Sequence, residues 1–397
     1  MSRSPFSMST TDRRRVAIIG AGVIGLGIGW RLAQAGCAVD IFERDRAGRG
    51  ASWAAAGMLA AGVETEPGEH CLAALTAEGL RRWPSFAAEL ESVSGIFVEL
   101  RTEGTLAVAT NADEAARLRH EAEFQRSLGI ELHWLTGAEA RRVEPHLGPG
   151  IAAAALSPRD IQVNNRQLVT ALERAFEAAG GRLHEHARVD GIEVAGGRIQ
   201  AIRLADRVFE AGIVVLAAGA RSREIEGLPP EARPPVRPVK GQMLAVQMDP
   251  AAPLLRHVVW APGAYLVPRL DGRLIVGATV EERGFDASLT AGAMLSLLDA
   301  AWRVLPAIEE CAIVESWVGF RPGSPDDAPI LGPTAVDGLI VATGHHRNGI
   351  LLTPITADEV SRCVLTGEIS EAIRAFGIER FPSVARQRHE NRASQRV

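Results

Sequence analysis

The sequence is short of lysine, tyrosine and cysteine, and it has no excess of positive charge. Of its 43 basic residues only Lys240 is a lysine, and Tyr265 is its single tyrosine. A GC-rich codon usage accounts for both counts, but not for why these two positions kept their residues. Cys37, Cys71, Cys311 and Cys363 are the four cysteines. They lie far apart and none forms C-x-x-C, which argues against a zinc site, an iron–sulfur relay or a disulfide framework. The 43 basic residues stand against 48 acidic ones, a net charge of −5, so no global field favours nucleic acid. No apolar run approaches the ~20 residues that span a bilayer. Residues 1–12 lack the apolar core of a secretory signal; they read as a loose tail in which Met8 is a second candidate start. The expected setting is cytoplasmic, with no membrane span and no nucleic-acid partner.

What is present is ample apolar mass. The chain has 397 residues, 47% hydrophobic, with 40 glycines. That length suggests two domains, since single cores stop growing near ~250–300 residues. Arg15–Ile19 reads as a buried strand, Gly22–Ala35 as a helix closed by Gly36, and Cys37–Phe42 as the next strand. This is a βαβ unit, which places a parallel sheet at the N-terminus. Asn164 or Asn165 caps a helix over 166–179, followed by strands over 182–189, 191–194 and 198–204, with 195–197 as a hairpin turn. The apolar run 213–217 reads as a strand buried on both faces. Residues 111–128, 136–143 and 291–304 look helical. Asp271-Gly272 signals a hairpin between strands 265–269 and 273–277. The α/β pattern returns with a strand over 338–342, a loop over 344–349 and a helix from Ile350 to Leu365. The expected fold is α/β plus α+β: a discontinuous Rossmann-like dinucleotide domain (13–92, 158–233 and 322–382) with an inserted antiparallel-sheet substrate domain (93–157 and 234–321). Residues 383–397 are expected to fray.

Gly20-Ala-Gly22-Val-Ile-Gly25 matches G-x-G-x-x-G between a strand and a helix. Gly20 permits the tight turn, Gly22 lets backbone approach a pyrophosphate, and Gly25 lets helix and strand pack closely. Glu43 follows Gly25 by 18 residues, at the end of the second strand. A carboxylate there accepts from a ribose hydroxyl and repels a 2′-phosphate, so NADP is disfavoured. The fingerprint does not separate FAD from NAD. Three later segments do. Residues 48–59 form a small-residue stretch that lets backbone lie against a flat ring. Val214–Ala220, with Gly219, ends a buried strand in small residues. Gly344-His-His-Arg-Asn-Gly349 links a strand to a helix and offers a second helix N-terminus.

With these segments in view, the sequence resembles the FAD-dependent amine oxidases of the D-amino-acid oxidase type. Within them it is similar to the glycine oxidases of thiamine biosynthesis. The resemblance rests on Arg49–Leu59, Pro238-Val-Lys-Gly-Gln242, Tyr265-Leu-Val-Pro-Arg269, Gly277-Ala-Thr279, Gly319-Phe-Arg-Pro322 and Gly344–Leu352, and covers residues 14 to 365. It implies non-covalent FAD, held at the pyrophosphate by Val23 and Ile24 and at the adenosine by Glu43 and Arg44. It places Ala51, Ser52, Ala56, Gly57 and Met58 along the ribityl chain and flavin, and Val189 at the adenine. His345, His346, Arg347, Asn348, Gly349, Ile350 and Leu351 would wrap the isoalloxazine. A helix N-terminus at Ile350 would stabilise the reduced, anionic flavin.

The resemblance also implies a small amino-acid substrate and oxygen. Hydride passes from the substrate α-carbon to flavin N5, giving an imine, then glyoxylate or another 2-oxo acid, ammonia and hydrogen peroxide. A thiazole synthase downstream and a homo-oligomer are implied partners. Arg321 is the matching carboxylate clamp, since a planar guanidinium suits a bidentate pair. Tyr265 is the matching phenol. Arg347 would accept from the substrate amine through its carbonyl. On their residues alone, Arg321 reads as an interdomain salt bridge and Tyr265 as a core aromatic; the motif match turns both toward the substrate. Adjacent His345 and His346 point apart in extended backbone, and no metal is expected. Gly263 and Val280 are smaller than the residues often found at their places, which enlarges the expected pocket. Lys240 reads as a strand-edge surface lysine or as a cation near the flavin that aids oxygen. Three rivals stay open: a dehydrogenase passing electrons to quinone, a subunit of a hydrogen cyanide synthase-like complex, and a flavoprotein without turnover.

Overall fold

A computed structural model describes residues 14–381; the expected tails, 1–12 and 383–397, lie outside the described residues. Six strands form the first sheet, in the order Ile330–Pro333, Leu339–Thr343, Ile213–Leu216, Arg15–Ile19, Ala38–Phe42, Arg182–His184. All neighbours are parallel except the first pair. The run Val16–Ile19 is continuously apolar because the sheet is covered on both faces. Val16 and Ile18 pack under the helices Val23–Gln34, Asn165–Ala178 and Thr353–Thr366, while Ala17 and Ile19 face the small sheet built from Val189–Ala195, Arg198–Leu204 and Val208–Glu210.

Eight strands form the second sheet, in the order Ala312–Gly323, Arg237–Gln247, Arg273–Gly277, Ala264–Pro268, Val258–Ala261, Thr105–Ala109, Ala153–Ser157, His133–Thr136. Its pairs are antiparallel except Val258–Ala261 with Thr105–Ala109. Period-2 alternation divides the long strand Arg237–Gln247 between two environments. Leu244 and Val246 pack with the helix Ala291–Val304, and Met243 and Ala245 pack with Trp317 and Ala54 beside the first sheet. Among the described residues, no helix is long and apolar enough to cross a membrane.

Several boundaries differ from the sequence reading. Ala195 belongs to its strand, and the hairpin turns on Gly196 and Gly197, both at positive φ (+60° and +76°) as a type I′ turn requires. The strand expected over 182–189 breaks where His186 takes φ +53°. The last helix starts at Thr353, not Ile350, because residues 346–348 form a 3₁₀ turn with His346 at φ +46°. The helix His70–Ser94 runs through Pro84, which reads in sequence as a stop. It holds its place through packing. Trp83 is fully buried, and its indole Nε1 donates to the Leu351 carbonyl at 2.9 Å.

That contact yields a stability prediction. Trp83→Ala opens a large cavity and orphans a buried carbonyl, so it should cost about 3–5 kcal/mol. A drop in the urea midpoint measures it; an unchanged midpoint would show that the ring carries no such load.

Candidate active site

One large cavity of about 1150 Å³ runs between the two sheets. That exceeds the ~300–1,000 Å³ of an ordinary small-molecule site. It begins at the N-terminus of the helix Val23–Gln34. Gly20 sits at φ +103°, and a Cβ there would stand 2.5 Å from the Ala217 carbonyl oxygen, so only glycine fits this turn. The helix has no acidic residue in its first turn, which leaves its partial positive charge for an anion. The Val23 N–H donates to Ser52 Oγ at 3.0 Å. The Glu43 carboxylate accepts from the N–H groups of Ala21 (2.9 Å) and Asp45 (3.1 Å). Each oxygen keeps a free lone pair for a hydroxyl.

Gly20, Gly22, Val23, Ile24, Glu43, Arg44, Val189 and Gly219 all line this end of the cavity. Gly25 does not; it packs its helix against the Gly20 carbonyl. Ala51, Ser52, Ala56, Gly57 and Met58 line the middle. Their backbone is held from behind. Asn165 Nδ2 donates to the Ser52 and Trp53 carbonyls (2.8 and 3.0 Å), and Arg269 Nη2 donates to Ala56 O at 2.6 Å. Burial pulls the Arg269 guanidinium down to about 10, still charged at neutral pH. It also donates to Val163 O at 2.9 Å and Asn165 Oδ1 at 3.1 Å. Arg269, together with Arg166 through its ion pair with Glu315 at 2.9 Å, and not Arg321, ties the second sheet to the first unit.

The loop after strand Leu339–Thr343 closes the cavity. His345, His346, Arg347, Gly349 and Ile350 line it. Asn348 and Leu351, expected beside them, do not: both are buried, and Leu351 packs in the core under the helices. Burial pushes His345 down to about 3, so its imidazole is neutral, with Nε2 3.1 Å from Thr356 Oγ1. Burial likewise pushes His346 down to about 4, only partly opposed by Asp327. Among the described residues, no cluster of three or more His, Cys, Asp or Glu side chains could hold a metal ion.

At the far end two side chains lie flat across the second sheet. Strand side chains ordinarily stand perpendicular to the sheet. Arg321, on the strand Ala312–Gly323, instead reaches over Gly241 of the strand Arg237–Gln247 and donates from Nη1 to the Thr279 carbonyl at 3.1 Å. A Cβ on Gly241 would stand 2.6 Å from that Nη1. Tyr265 comes from the opposite direction. It pairs with Gly277, where a Cβ would meet the phenol oxygen at 2.7 Å. Its hydroxyl lies 3.8 Å from Met243 Sδ and its ring stacks on Trp260 at 5.7 Å. Burial pushes the phenol above its ordinary value, and nearby Arg321 offsets part of that. Gly263 and Val280 flank the same end.

Lys240 is neither a surface lysine nor a cavity residue. It is fully buried, and Nζ donates to Ser288 O at 2.7 Å and Asp286 Oδ2 at 3.3 Å. Glu64 was absent from the sequence reading, since nothing marks a lone acid in the loop after Leu59. It lines the cavity and pairs with Arg347 at 3.3 Å; Glu66 and Glu69 approach the same guanidinium at 3.5 and 3.2 Å. Burial pushes the Glu64 carboxyl up to about 7, against the pull of Arg347 and Arg321 and with the push of Asp160 and Glu69.

Comparison with known proteins shows that residues 15–362 match the family described as FAD dependent oxidoreductase. Glycine oxidase from Geobacillus kaustophilus is 37% identical over 374 residues, 93% of this chain and 98% of that protein. The bifunctional protein ThiO/ThiG of Synechocystis sp. is 38% identical over 383 residues, 94% of this chain, but the chain spans only 55% of its length. The crystal structure of glycine oxidase from Geobacillus kaustophilus superposes with a TM-score of 0.86 at 36% identity, covering 93% of this chain and 100% of that one.

Glu64 makes the site pH-sensitive in a defined direction. Its carboxyl is protonated below pH 7 and ionises as the pH rises through about 7, placing a negative charge near Arg321. Binding of an amine-free carboxylate such as glycolate should therefore weaken above pH 7, and Glu64→Gln should flatten the profile. Calorimetric titration from pH 6 to 8 measures both; a flat wild-type profile would contradict the assignment.

Proposed function

The chain belongs to the FAD dependent oxidoreductase family, and from that premise we propose that it oxidises glycine and other small amino acids such as sarcosine and D-alanine. FAD held along the cavity would supply the acceptor for the hydride of the substrate α-carbon, with oxygen taking the two electrons as hydrogen peroxide. The imine product hydrolyses to glyoxylate or another 2-oxo acid and ammonia, or is consumed in making the thiazole of thiamine. The glycine oxidases among the relatives support the substrate. The ThiO/ThiG relatives support a thiazole synthase as the downstream partner.

One observation carries the reading: Arg321 and Tyr265 converge across Gly241 and Gly277 at one end of the cavity whose other end is the helix N-terminus at Val23. Arg321 spends one N–H on Thr279 O, and the rest of its fork is free for a carboxylate. The Tyr265 phenol donates to the same carboxylate. Met243 and Trp260 wall this end with apolar surface, which excludes water and strengthens the ion pair. The Arg347 side chain is taken by Glu64, Glu66 and Glu69, so its role is through its carbonyl, which receives the substrate amine.

The residues along the cavity fit FAD. Gly20, Gly22, Val23 and Ile24 hold the pyrophosphate, Glu43 and Arg44 the adenosine, and Val189 the adenine. Ala51, Ser52 and Ala56–Met58 lie along the ribityl chain, and neutral His345 with Gly349 and Ile350 at the flavin. The strands of the six-stranded sheet fall within 13–92, 158–233 and 322–382, which supports that set as the FAD-binding domain. Those of the eight-stranded sheet fall within 93–157 and 234–321, except that the strand Ala312–Gly323 runs two residues past that boundary, which supports a substrate domain.

Anaerobic mixing with glycine, sarcosine and D-alanine should bleach the flavin absorbance with at least one of them; no bleaching would overturn the reading. Arg321→Ala should cost about 2–5 kcal/mol in carboxylate recognition, read as a rise in KM. Unchanged kinetics would place the clamp elsewhere.

A further inference from the structure

Lys240 has no place in the reaction above, yet it is among the largest fully buried side chains. Burying an ammonium is costly, and the return from its partners is modest. It has one carbonyl, Ser288 O, and one carboxylate, Asp286, at 3.3 Å. Asp286 is 39% exposed. A methionine would fill the same core space without that cost. What the ammonium does that a methionine would not is hold a particular segment of chain.

That segment is 279–290, the continuation of strand Arg273–Gly277. It starts beside the strand Arg237–Gln247, second from the edge of the sheet: Thr279 N–H donates to Gln242 O at 3.3 Å, and Lys240 and Glu281 exchange backbone bonds at 2.9 and 3.0 Å. It then turns beneath the strand, where Lys240 takes Asp286 and Ser288. Gln242 takes its end. Thr290 N–H donates to Gln242 Oε1 at 2.7 Å, and Gln242 Nε2 donates to Glu281 Oε1 at 2.8 Å. Glu281 in turn accepts from Thr279 Oγ1 at 2.6 Å. Backbone strain plays no part here. The segment is secured from the face opposite Gly241 and Met243.

The same segment bears on the substrate end in two ways. Its Thr279 carbonyl is the hydrogen-bond acceptor that aims the Arg321 guanidinium. Its Val280 and Phe285 line the cavity. Phe285 packs edge-on to Phe320 at 5.2 Å and beneath the Arg221 guanidinium at 3.8 Å.

We propose that Lys240 and Gln242 are positioning residues: they latch segment 279–290 to the back of the sheet, and the latch sets both the aim of Arg321 and the outer wall of the substrate end. The effect on substrate rests on the oxidase reading; the latch itself does not. In its absence the segment lifts, Arg321 loses a fixed acceptor, and the wall recedes. Carboxylate binding weakens while the reaction of bound substrate persists, and discrimination between small and bulky amino acids relaxes.

The test uses the FAD-loaded protein and two variants, Lys240→Met and Asp286→Asn, the second altering only an exposed partner. Limited trypsin digestion followed by mass spectrometry reads cleavage after Arg283, which is 61% exposed and lies inside the segment. Calorimetry reads glycolate binding, and stopped-flow reads flavin reduction by glycine. In Lys240→Met, cleavage after Arg283 should rise at least fivefold, and the glycolate Kd and glycine KM at least tenfold. The limiting reduction rate should change less than threefold. Asp286→Asn should shift cleavage and Kd the same way by a smaller factor. Wild-type cleavage and Kd in both variants would overturn the proposal, as would a Lys240→Met protein that fails to fold beside an Asp286→Asn protein with wild-type values. If the wild-type protein binds no glycolate and is bleached by no amino acid, the oxidase reading fails, and cleavage after Arg283 alone decides the latch.

Discussion

The site depends on two side chains that lie across strands instead of standing away from them. Arg321 crosses Gly241 and Tyr265 crosses Gly277. Each crossing needs a residue without a side chain directly beneath it. Because the two strands approach from opposite sides of the sheet, the crossings bring a guanidinium and a phenol to one place. The strand order 312–323, 237–247, 273–277, 264–268 is what puts the two glycines between them.

Electrostatics separates Arg321 from Arg347, both of which line the cavity. Arg347 sits among three carboxylates and contributes little free positive charge. Arg321 donates to a neutral carbonyl and lies beside the neutral Tyr265 phenol. A carboxylate reaching this end of the cavity therefore meets the Arg321 guanidinium, which the Glu64 carboxyl leaves unopposed while protonated, beside a phenol whose ionisation burial disfavours. The neutral state of His345 follows from the same physics, since burial with a hydroxyl partner favours the uncharged ring. A third arginine, Arg269, has a different task. It gathers carbonyls from residues 56 and 163 and so fixes the small-residue stretch relative to the second sheet.

Much of this was legible in the sequence. The βαβ unit and the fingerprint at Gly20–Gly25 follow local rules, where glycine positions and apolar runs leave few alternatives. Tyr265 and Arg321 were found through motif resemblance, because nothing local distinguishes a crossing side chain from a core or salt-bridge one. The failures have physical causes. The helix His70–Ser94 has Pro84 in its interior and is sustained by tertiary packing through Trp83. The 3₁₀ turn with His346 at positive φ displaced the start of the last helix to Thr353. Glu64 and Lys240 owe their character to burial by residues distant in sequence, which no local pattern records.

The crossings also bear on how such a site changes over time. Its floor is made of positions where any added carbon collides with a guanidinium or a phenol, so drift there removes the ligand-binding group itself. At the rim Val280 has no such constraint, being 71% exposed, whereas Gly263 has open space but takes φ +83°, which favours glycine. A change at Val280 alters the wall that a substrate side chain meets while leaving the carboxylate handle in place.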